Sequence, residues 1–468
     1  MNAVPGTRSG GPAQPPEEPA SFYAKHVKIH PREVRGRFDS WRRLAVFTLL
    51  GLFYLVPWLR WDGRQAVLFD LPARKFWIFG LVLWPQDFIF LTWILVLLGL
   101  SLFFVTALAG RLWCGFACPQ TVWTEVFVWL ERLAEGDRAR RVKLDRAPWS
   151  AAKVARKTSK QVLWIAFALW TGLSFVGFFV PVAALATGLL TGSLGGWALF
   201  WTVFYGAATY FNAGYLREQV CKYMCPYARF QSAMFDRDTL IITYDGARGE
   251  PRGARARSAD HRARGLGDCI DCTLCVQVCP TGIDIRAGLQ YECIACAACI
   301  DACDGVMDKV GYPRGLIRYT TQNALEGRPS RVLRPRTLVY ATLLAIIFVA
   351  GLAGLLTRRT VALDVIRDRN ALYQEAGEGA IANVYNVKIL NKDHAAHSYR
   401  LAVEGIDGAR IVAPRVTWHV DGGEVFSVPL RVEVPAAAVH GGHDIRFVLT
   451  DTDRPARRVV EKARFIAP

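Results

Sequence analysis

The stretch CIDCTLCVQVCP runs from Cys269 to Pro280, and CIACAACIDAC follows from Cys293 to Cys303. Both segments have the spacing Cys-x2-Cys-x2-Cys-x3-Cys, and together they hold eight of the 12 cysteines in the chain. Thiolates are soft ligands that suit iron–sulfur clusters. Zinc ligands more often come as two separated CxxC pairs, and disulfides gather in small secreted chains. The repeated spacing therefore predicts two 4Fe-4S clusters and the transfer of single electrons.

The same spacing predicts which cysteine binds which cluster. In two-cluster ferredoxins the first three cysteines of a run bind one cluster and the fourth reaches the other. The first cluster is predicted to be bound by Cys269, Cys272, Cys275 and Cys303. The second is predicted to be bound by Cys279, Cys293, Cys296 and Cys299. We expect a ferredoxin-like domain with its core at 265–306, inside a cytoplasmic segment at 227–337.

Apolar blocks predict that this domain is inserted in a membrane protein. The chain has 468 residues, of which 52% are hydrophobic. Blocks without Lys, Arg, Asp or Glu, near the ~20 residues that cross a bilayer, lie at 44–59, 88–108, 162–184, 338–356 and, more weakly, 189–211. We predict an α-helical bundle of about five spans: a four-span domain at 44–226 and a fifth helix at 338–356. Residues 76–84 are too short to span and are interpreted as an interfacial lead-in that ends at Pro85.

Basic residues predict the orientation, because cytoplasmic flanks carry the excess of Lys and Arg. The tail before Leu44 has eight, residues 110–161 have eleven and residues 217–336 have eighteen, whereas the opposite loops have four and none. This predicts a multi-pass protein of the bacterial inner membrane, with the tail at 1–43 and the ferredoxin cytoplasmic and residues 357–468 periplasmic. The six Arg in 248–264 could dock an acidic electron donor or lie against anionic lipid. No nucleic-acid fold motif accompanies them, so no nucleic-acid partner is predicted.

The remaining four cysteines form an internal repeat. Ala109-Gly110-Arg111-Leu112 precedes Cys114-x3-Cys118-Pro119, and Ala213-Gly214-Tyr215-Leu216 precedes Cys221-x3-Cys225-Pro226. Cysteines four apart share one face of a helical turn, and a following proline tends to end the helix. Two such pairs could converge to bind a soft metal, exchange electrons with it or form disulfides. The alternative is that they are buried small residues, but duplication at matching points favours a function.

The sequence after the last apolar block alternates with period two. Apolar residues alternate through 381–389, 399–403, 426–434 and 445–449, with turns at Asp407-Gly408 and Asp421-Gly422-Gly423. This predicts a small antiparallel β-sandwich at 357–468. The domain has no cysteine and no catalytic constellation, which favours a docking or structural module. The pairs His394-x2-His397 and His440-x2-His443 could bind a metal such as copper or be exposed loop residues.

Several motifs resemble one protein family. They are Trp84-Pro85-Gln86-Asp87, the string RLWCGFACPQTVW at 111–123, the second Cys-x3-Cys-Pro, Cys303-Asp304 and GYPRGLI at 311–317. These residues resemble the FixG/RdxA/CcoG family of accessory proteins for assembly of cbb3-type cytochrome c oxidase, from about Lys25 to a C-terminal immunoglobulin-like domain. Asp304 stands where generic ferredoxins have Pro after the last ligand, which could alter the local turn without removing a ligand.

The resemblance implies a membrane cupric reductase that lowers Cu(II) to Cu(I) for the oxidase. It implies that Cys114, Cys118, Cys221 and Cys225 are the catalytic, copper-binding thiols and that the eight ferredoxin cysteines relay electrons. The implied partners are the oxidase assembly machinery, a copper transporter or chaperone, an unidentified electron donor and a second copy in a homodimer. Two alternatives stay open: a polyferredoxin passing electrons from quinol or a soluble donor to another protein, and a non-enzymatic assembly scaffold.

Overall fold

The computed structural model describes residues 28–256, 260, 262–393 and 395–468. It contains two compact units. The first is built from the described residues up to Leu49 and from Leu108–Phe167 and Ala208–Ser330. The second is built from Leu50–Ala107, Ala168–Ala207 and Arg331–Pro468. Most of the N-terminal tail, and His394, lie outside the described residues.

Helices form most of the first unit. They are Leu112–Phe116, Pro119–Glu135, Arg138–Arg146, Pro226–Met234, Gly246–Gly249, Leu274–Gln277, Ala298–Val310 and Gln322–Leu325, with wider π-type turns at Tyr210–Leu216 and Val220–Met224. Strands Ile241–Tyr244 and Ile317–Thr320 pair in an antiparallel sheet. Their apolar side chains pack with the ferredoxin cysteines and with Ile285 and Met307 in one buried core. The ferredoxin-like domain is therefore closed by strands that precede and follow the cysteine runs.

Among the described residues, three helices are long and apolar enough to cross a membrane: Pro85–Ala109, Ala151–Val176 and Pro335–Leu356. A fourth candidate is the pair Val182–Thr191 and Gly196–Leu216, which is bent by 97° at a short break. The helix Arg37–Leu55 does not meet the same criterion, because four charged residues stand in its first seven positions. The molecule is a membrane protein, and the count of five spans stays a prediction.

The helices in the apolar blocks at 162–184 and 189–211 differ from the predicted bounds. Residues 162–184 do not form one helix, since the helix Ala151–Val176 ends before a turn and the next begins at Val182. Pro181 at the start of that next helix cannot continue the preceding ladder of hydrogen bonds. Gly192, in left-handed conformation, ends Val182–Thr191 in turn. The apolar block at 189–211 is therefore divided between the helices Val182–Thr191 and Gly196–Thr209.

Residues 76–84, interpreted from the sequence as an interfacial lead-in, form strands, and their place at the membrane interface stays a prediction. They belong to a three-stranded antiparallel sheet of Val67–Asp70, Lys75–Ile78 and Leu81–Leu83, beside the short pair Arg60–Trp61 and Arg64–Gln65. Alternate aromatic and β-branched residues favour strands, and the turn at Phe79-Gly80 reverses the chain. The 3-10 turn Pro85–Asp87 then leads into the apolar helix Phe88–Ala109.

The C-terminal part of the second unit is an antiparallel β-sandwich. One sheet contains Val361–Arg367, Gln374–Ala376, Ala380–Asn391, Arg410–Val412 and Val425–Pro435; the other contains His397–Glu404, Thr417–Val420, Gly442–Asp451 and Arg458–Ile466. The core between them includes Tyr385 and Phe447, whose rings lie 5.1 Å apart. The alternating apolar residues thus form strands as predicted. His443 lies at the exposed start of its strand and contacts the carbonyl of His440.

Candidate metal centres of the first unit

Both cysteine runs curve through the same unusual backbone positions. Asp271 and Thr273 of the first run, and Ala295 and Ala297 of the second, all have φ between 53° and 60°. L-residues other than glycine rarely adopt this left-handed conformation, and it concentrates at functional sites. The two pairs occupy equivalent places, two and four residues after the first cysteine of each run. Each run is therefore held as a tight loop that turns its first three cysteines toward one point.

The four cysteines predicted to bind the first cluster line one cavity. It is lined by Cys269, Cys272, Cys275 and Cys303, together with Tyr244 and Leu316. Burial raises the pKa of Cys303 to about 12, with further contributions from Cys275, Cys269 and Cys272. Such mutual repulsion places the four sulfurs in one electrostatic group. Cys272 is exposed, so this cavity has a wall at the protein surface.

The second set is deeper. A separate cavity is lined by Cys279, Cys293, Cys296 and Cys299, and Cys275 lies at its edge as well. Burial raises the pKa of Cys299, followed by repulsion from Cys296, Cys293 and Cys279. Four soft thiols around each cavity, none in a disulfide, are the donor set that a cubane iron–sulfur cluster requires. The residues present therefore fit two 4Fe-4S clusters.

Asp304 alters the local structure after the last ligand, because the helix continues there without removing a ligand. The helix Ala298–Val310 continues through Cys303 and Asp304, and the Asp304 carboxylate accepts a hydrogen bond from the backbone N–H of Gly315 at 2.9 Å. Aspartate has the backbone N–H that a helix needs, whereas proline lacks it. In the first run, where Pro280 follows Cys279, the helix Leu274–Gln277 is only four residues long. The expected local change is a longer helix.

Each Cys-x3-Cys-Pro segment joins two helical elements. Cys114 lies in Leu112–Phe116 and Cys221 in the π-type turn Val220–Met224. Cys118 and Cys225 are extended N-cap residues, and the proline after each begins the next helix. The second cysteine of each pair is therefore outside the helical turn on which we expected it, because proline is favoured in the first turn of the following helix.

The four thiols of the repeat lie near enough for their charges to influence one another; we call Cys114, Cys118, Cys221 and Cys225 the four-thiol cluster. Gln120 joins the two halves, since its side-chain amide donates to the carbonyls of Asn212 at 2.8 Å and Arg217 at 3.1 Å. Burial, followed by repulsion from Cys118 and Cys221, raises the pKa of Cys114 to about 12. Burial raises the pKa of Cys221 to about 11, with Cys118 and Cys225 as the next causes. The thiols thus act on one another as one group.

The four-thiol cluster has polar neighbours at Cys118 and at Cys114, and those at Cys118 favour an anionic sulfur. The backbone N–H groups of Gln120 and Thr121, at the start of a 17-residue helix, donate to Cys118 and oppose the rise in its pKa that burial causes. The Cys114 thiol contacts Gln231 Oε1 at 3.6 Å. Gln231 is fully buried, and its Nε2 has no hydrogen-bond partner among the described residues. An amide donor left free beside a thiol group suits a site where thiolates hold a metal.

The four-thiol cluster lies against the second ferredoxin run. A Cβ added to Gly115 would lie 2.7 Å from the carbonyl oxygen of Ala295 and 2.8 Å from the Cα of Cys296. Cys114 packs on a small apolar cluster that contains Ile294 and Cys296. Glycine at position 115 therefore permits backbone contact between the first Cys-x3-Cys segment and a predicted ligand loop of the second cluster.

Arg111 is a buried cation between the two groups of cysteines. It is 4% exposed, and its guanidinium donates to the carbonyls of Ala228 and, at 3.5 Å, Cys293. Its charge also lowers the pKa of Cys114, Cys221 and Cys293 against the dominant effect of burial. One fixed positive charge thus acts on both groups of cysteines.

The second ferredoxin run also contacts the N-terminal helix. Asp301, between Cys299 and Cys303, accepts hydrogen bonds from the backbone N–H groups of Phe38 at 3.1 Å and Asp39 at 2.7 Å. These are donors of the first turn of Arg37–Leu55, which would otherwise lack partners. A Cβ on Gly36 would lie 2.3 Å from Asp301, so glycine is needed for this approach. A ferredoxin carboxylate therefore caps the helix.

A buried ion network supports the helix that follows Cys118. Glu131 is fully buried and pairs with Arg217 at 2.8 Å, Arg141 at 3.1 Å and Lys28 at 3.6 Å. Burial alone would raise the pKa of Glu131, but these cations hold it at about 2. Lys157 and Lys160 pair with Glu135 one turn further along. The ion pair between Glu131 and Arg217 therefore links the first half of the repeat to the second.

Comparison with known proteins identifies the family. The chain is 38% identical to the nitrogen fixation protein FixG of Rhizobium meliloti, covering 96% of this chain and 94% of FixG. The chain belongs to the FixG/RdxA family. It is also 43% identical to RdxA and 42% identical to RdxB of Cereibacter sphaeroides, over 83% of this chain and 85% and 84% of theirs. A FixG-related crystal structure from Vibrio parahaemolyticus is 30% identical over 23% of this chain and 95% of that one, with a TM-score of 0.21.

Family models cover the regions that carry the FixG/RdxA resemblance. Residues 216–322 match a 4Fe-4S dicluster domain, 351–468 match the IG-like fold at the C-terminal of FixG, and 89–135 match a 4Fe-4S binding domain. This FixG/RdxA protein is therefore an iron–sulfur redox protein of the membrane, with ferredoxin and immunoglobulin-like domains. The individual ligand assignments stay predictions.

Several residues of this FixG/RdxA site were not predicted from the sequence. Arg111 and Gly115 stand inside the quoted motif, and a cation directly after a 22-residue apolar helix was a signal for a buried charge. Gln231 and Asp301 gave no such signal, because each is placed only by contacts across the fold.

Proposed function

We propose that this protein reduces Cu(II) to Cu(I) at the four-thiol cluster, for copper-site assembly of a cbb3-type cytochrome c oxidase. The observation that carries the proposal is the contact of this cluster with the second ferredoxin run through Gly115 and Cys114. Paired thiolates favour Cu(I) over Cu(II), so binding there promotes uptake of one electron by the substrate ion.

The two 4Fe-4S clusters would each store one electron close to the reacting ion. The polypeptide gives them different surroundings: the first set has the exposed ligand Cys272, whereas Cys296 of the second is buried. An external donor would therefore meet the first set, and the four-thiol cluster lies beside the second. This order supports electron flow from the surface inward.

The chain's own residues prepare the copper site. The helix beginning at Pro119 directs backbone N–H groups at Cys118, and Arg111 holds a positive charge near Cys114 and Cys221. Both features favour thiolates over thiols as the ion binds. The Gln231 side-chain oxygen accepts from the Cys114 thiol at 3.6 Å, and its buried amide nitrogen has no partner among the described residues. Burial around the group limits water as a competing ligand.

The test is single-turnover copper reduction by anaerobic protein with reduced clusters. Cys-to-Ser changes at Cys114 and Cys118, or at Cys221 and Cys225, should abolish formation of Cu(I), measured with a Cu(I)-specific chelator, because serine supplies a harder, protonated oxygen. The iron content should stay near 8 atoms per chain. In the control variant Cys272→Ser, copper binding should persist while electron supply falls. Reduction at the parental rate without all four thiols would exclude a catalytic role for them.

A second candidate function follows from one comparison. The matched 4Fe-4S binding domain at 89–135 contains two cysteines, Cys114 and Cys118. If the four-thiol cluster holds a third iron–sulfur cluster, the protein transfers electrons to a partner protein. Anaerobic purification would then yield about 12 iron atoms per chain, falling to about 8 in the four-serine variant. The copper proposal expects about 8 in both.

The proposed topology places the ferredoxin in the cytoplasm and the immunoglobulin-like domain in the periplasm of a bacterial cell. The basic residues at 110–161 and 217–336 support it. The outer domain would then face the oxidase assembly machinery or a copper chaperone. Reporter fusions at Gly265 and Gly408 should give opposite compartments, and the same compartment for both would refute the assignment.

A further inference from the structure

Three metal-binding side chains meet at one end of the β-sandwich. His397 begins the strand His397–Glu404, Asp451 ends the neighbouring strand Gly442–Asp451, and Asp453 follows in the next turn. One ligand atom from each lies within 4.8 Å of the other two. His397 and Asp451 are buried and Asp453 is exposed, so the group has one side open to solvent.

The hydrogen bonds of His397 determine which ring nitrogen faces this group. Its Nε2 lies 3.2 Å from Asp393 Oδ2, which Arg457 also contacts at 3.1 Å. A neutral imidazole that donates from Nε2 to this carboxylate has its lone pair on Nδ1. Nδ1 faces Asp451 Oδ2 at 3.6 Å. Asp393 thus orients the ring as carboxylates commonly orient metal-binding histidines.

Asp451 supplies the second, independent observation. It is 1% exposed, and its Oδ1 accepts from the backbone N–H groups of Asp453 and Arg454. Its Oδ2 is buried and has no hydrogen-bond partner among the described residues. Within the described part of the chain, no Lys or Arg forms an ion pair with Asp451 or Asp453. A cation bound between this buried carboxylate oxygen and the Nδ1 lone pair would satisfy both groups.

We propose that His397, Asp451 and Asp453 bind a divalent transition-metal ion, with Cu(II) preferred. One imidazole nitrogen and two carboxylate oxygens are borderline to hard donors that accept divalent first-row ions, and affinity for such a site rises along the series to Cu(II). The site differs in chemistry from the four-thiol cluster, whose sulfurs favour Cu(I). It does not depend on copper reduction, because its ligands come from the second unit and involve no cysteine.

The test is titration of tag-free, full-length protein with Cu(II), followed by electron paramagnetic resonance. The background variant carries serine at all four positions of the four-thiol cluster, so that thiols neither bind nor reduce the ion, and its 4Fe-4S clusters are kept oxidised. About one Cu(II) per chain should bind with nitrogen hyperfine coupling. Competition should follow the order Cu(II), Zn(II), Mn(II).

Substitutions in the same background identify the ligands. Asp451→Asn and Asp453→Asn should each weaken Cu(II) binding about tenfold or more. Asp453 is exposed, so its variant tests the site even where Asp451→Asn fails to fold. The matched control is Asp444→Asn, an 83% exposed carboxylate on the strand of Asp451, which should bind Cu(II) as the background does. Absence of nitrogen-coupled Cu(II) in the background, or equal affinity in the Asp453 and Asp444 variants, would overturn the proposal.

Discussion

Replacement of Gly115 by alanine tests whether the first Cys-x3-Cys segment rests on the second ferredoxin run. The new Cβ would lie 2.7 Å from Ala295 O and 2.8 Å from Ala295 C and from Cys296 Cα. Ordinary contacts begin at 3.4 Å. Either the first Cys-x3-Cys segment or the ligand loop of the second run must therefore move by about 0.6 to 0.7 Å. All three atoms belong to the backbone of a ligand loop and cannot rotate away. We expect a loss of about 1–3 kcal/mol, as in other overpacked cores.

The assay is thermal denaturation of the purified protein, followed by the visible absorption of its clusters. For a unit of this size, each kcal/mol lowers the midpoint by roughly 2–4 °C. The matched control is Gly305→Ala, in the helix Ala298–Val310 of the same unit, where an added Cβ meets no atom within 4 Å. Alanine there should be neutral or stabilising by up to about 1 kcal/mol. Equal midpoints for both variants, with unchanged spectra of the second cluster, would refute the proposed contact.

Three further predictions concern the charged groups of the same unit. Arg111→Met should lower the midpoint potential of the second cluster on the order of 50 mV in a redox titration, with little effect on the first and a smaller effect of Arg111→Lys, since the cation stabilises the reduced state. Asp301→Ala should destabilise the unit by about 1–3 kcal/mol in thermal denaturation because two helix N–H groups lose their acceptor, whereas Asp301→Asn should cost less; equal effects would contradict capping. Glu131→Gln should cost about 3 kcal/mol or more near neutral pH. The pKa of Glu131 is lowered in the folded chain, so its contribution to the free energy of unfolding is complete above the unfolded pKa of about 4.3 and is lost as the pH falls toward 2. The difference in thermal midpoint between parent and variant should therefore shrink from about pH 5 toward pH 3.

Cysteine spacing predicted the grouping of the ferredoxin thiols because the ligand pattern of two cubanes is local in sequence. It did not predict how the loops are shaped. Four non-glycine residues of the loops adopt the left-handed conformation that a sequence usually signals with glycine: Asp271, Thr273, Ala295 and Ala297. Period-two alternation likewise predicted the sandwich strands, since one face of each packs in a large apolar core.

The length of an apolar run did not predict its secondary structure. Residues 76–84 were too short for a span, but short apolar runs fit strands and helix ends equally well, and tertiary pairing with Val67–Asp70 made them strands. The four-thiol cluster was predicted only as a possible convergence of two pairs. The contacts that bring it together, through Gln120, join residues about 90 positions apart, and no local pattern encodes them.

The cap that Asp301 provides couples the first helix to the segment that carries predicted cluster ligands. Asp301 stands two residues from a predicted ligand of each cluster, Cys299 and Cys303, so its position depends on the fold of that segment. A chain in which the segment is unfolded would leave the start of Arg37–Leu55 without its acceptor and prone to fraying. Proteases that survey membrane proteins could therefore distinguish such chains by this terminus.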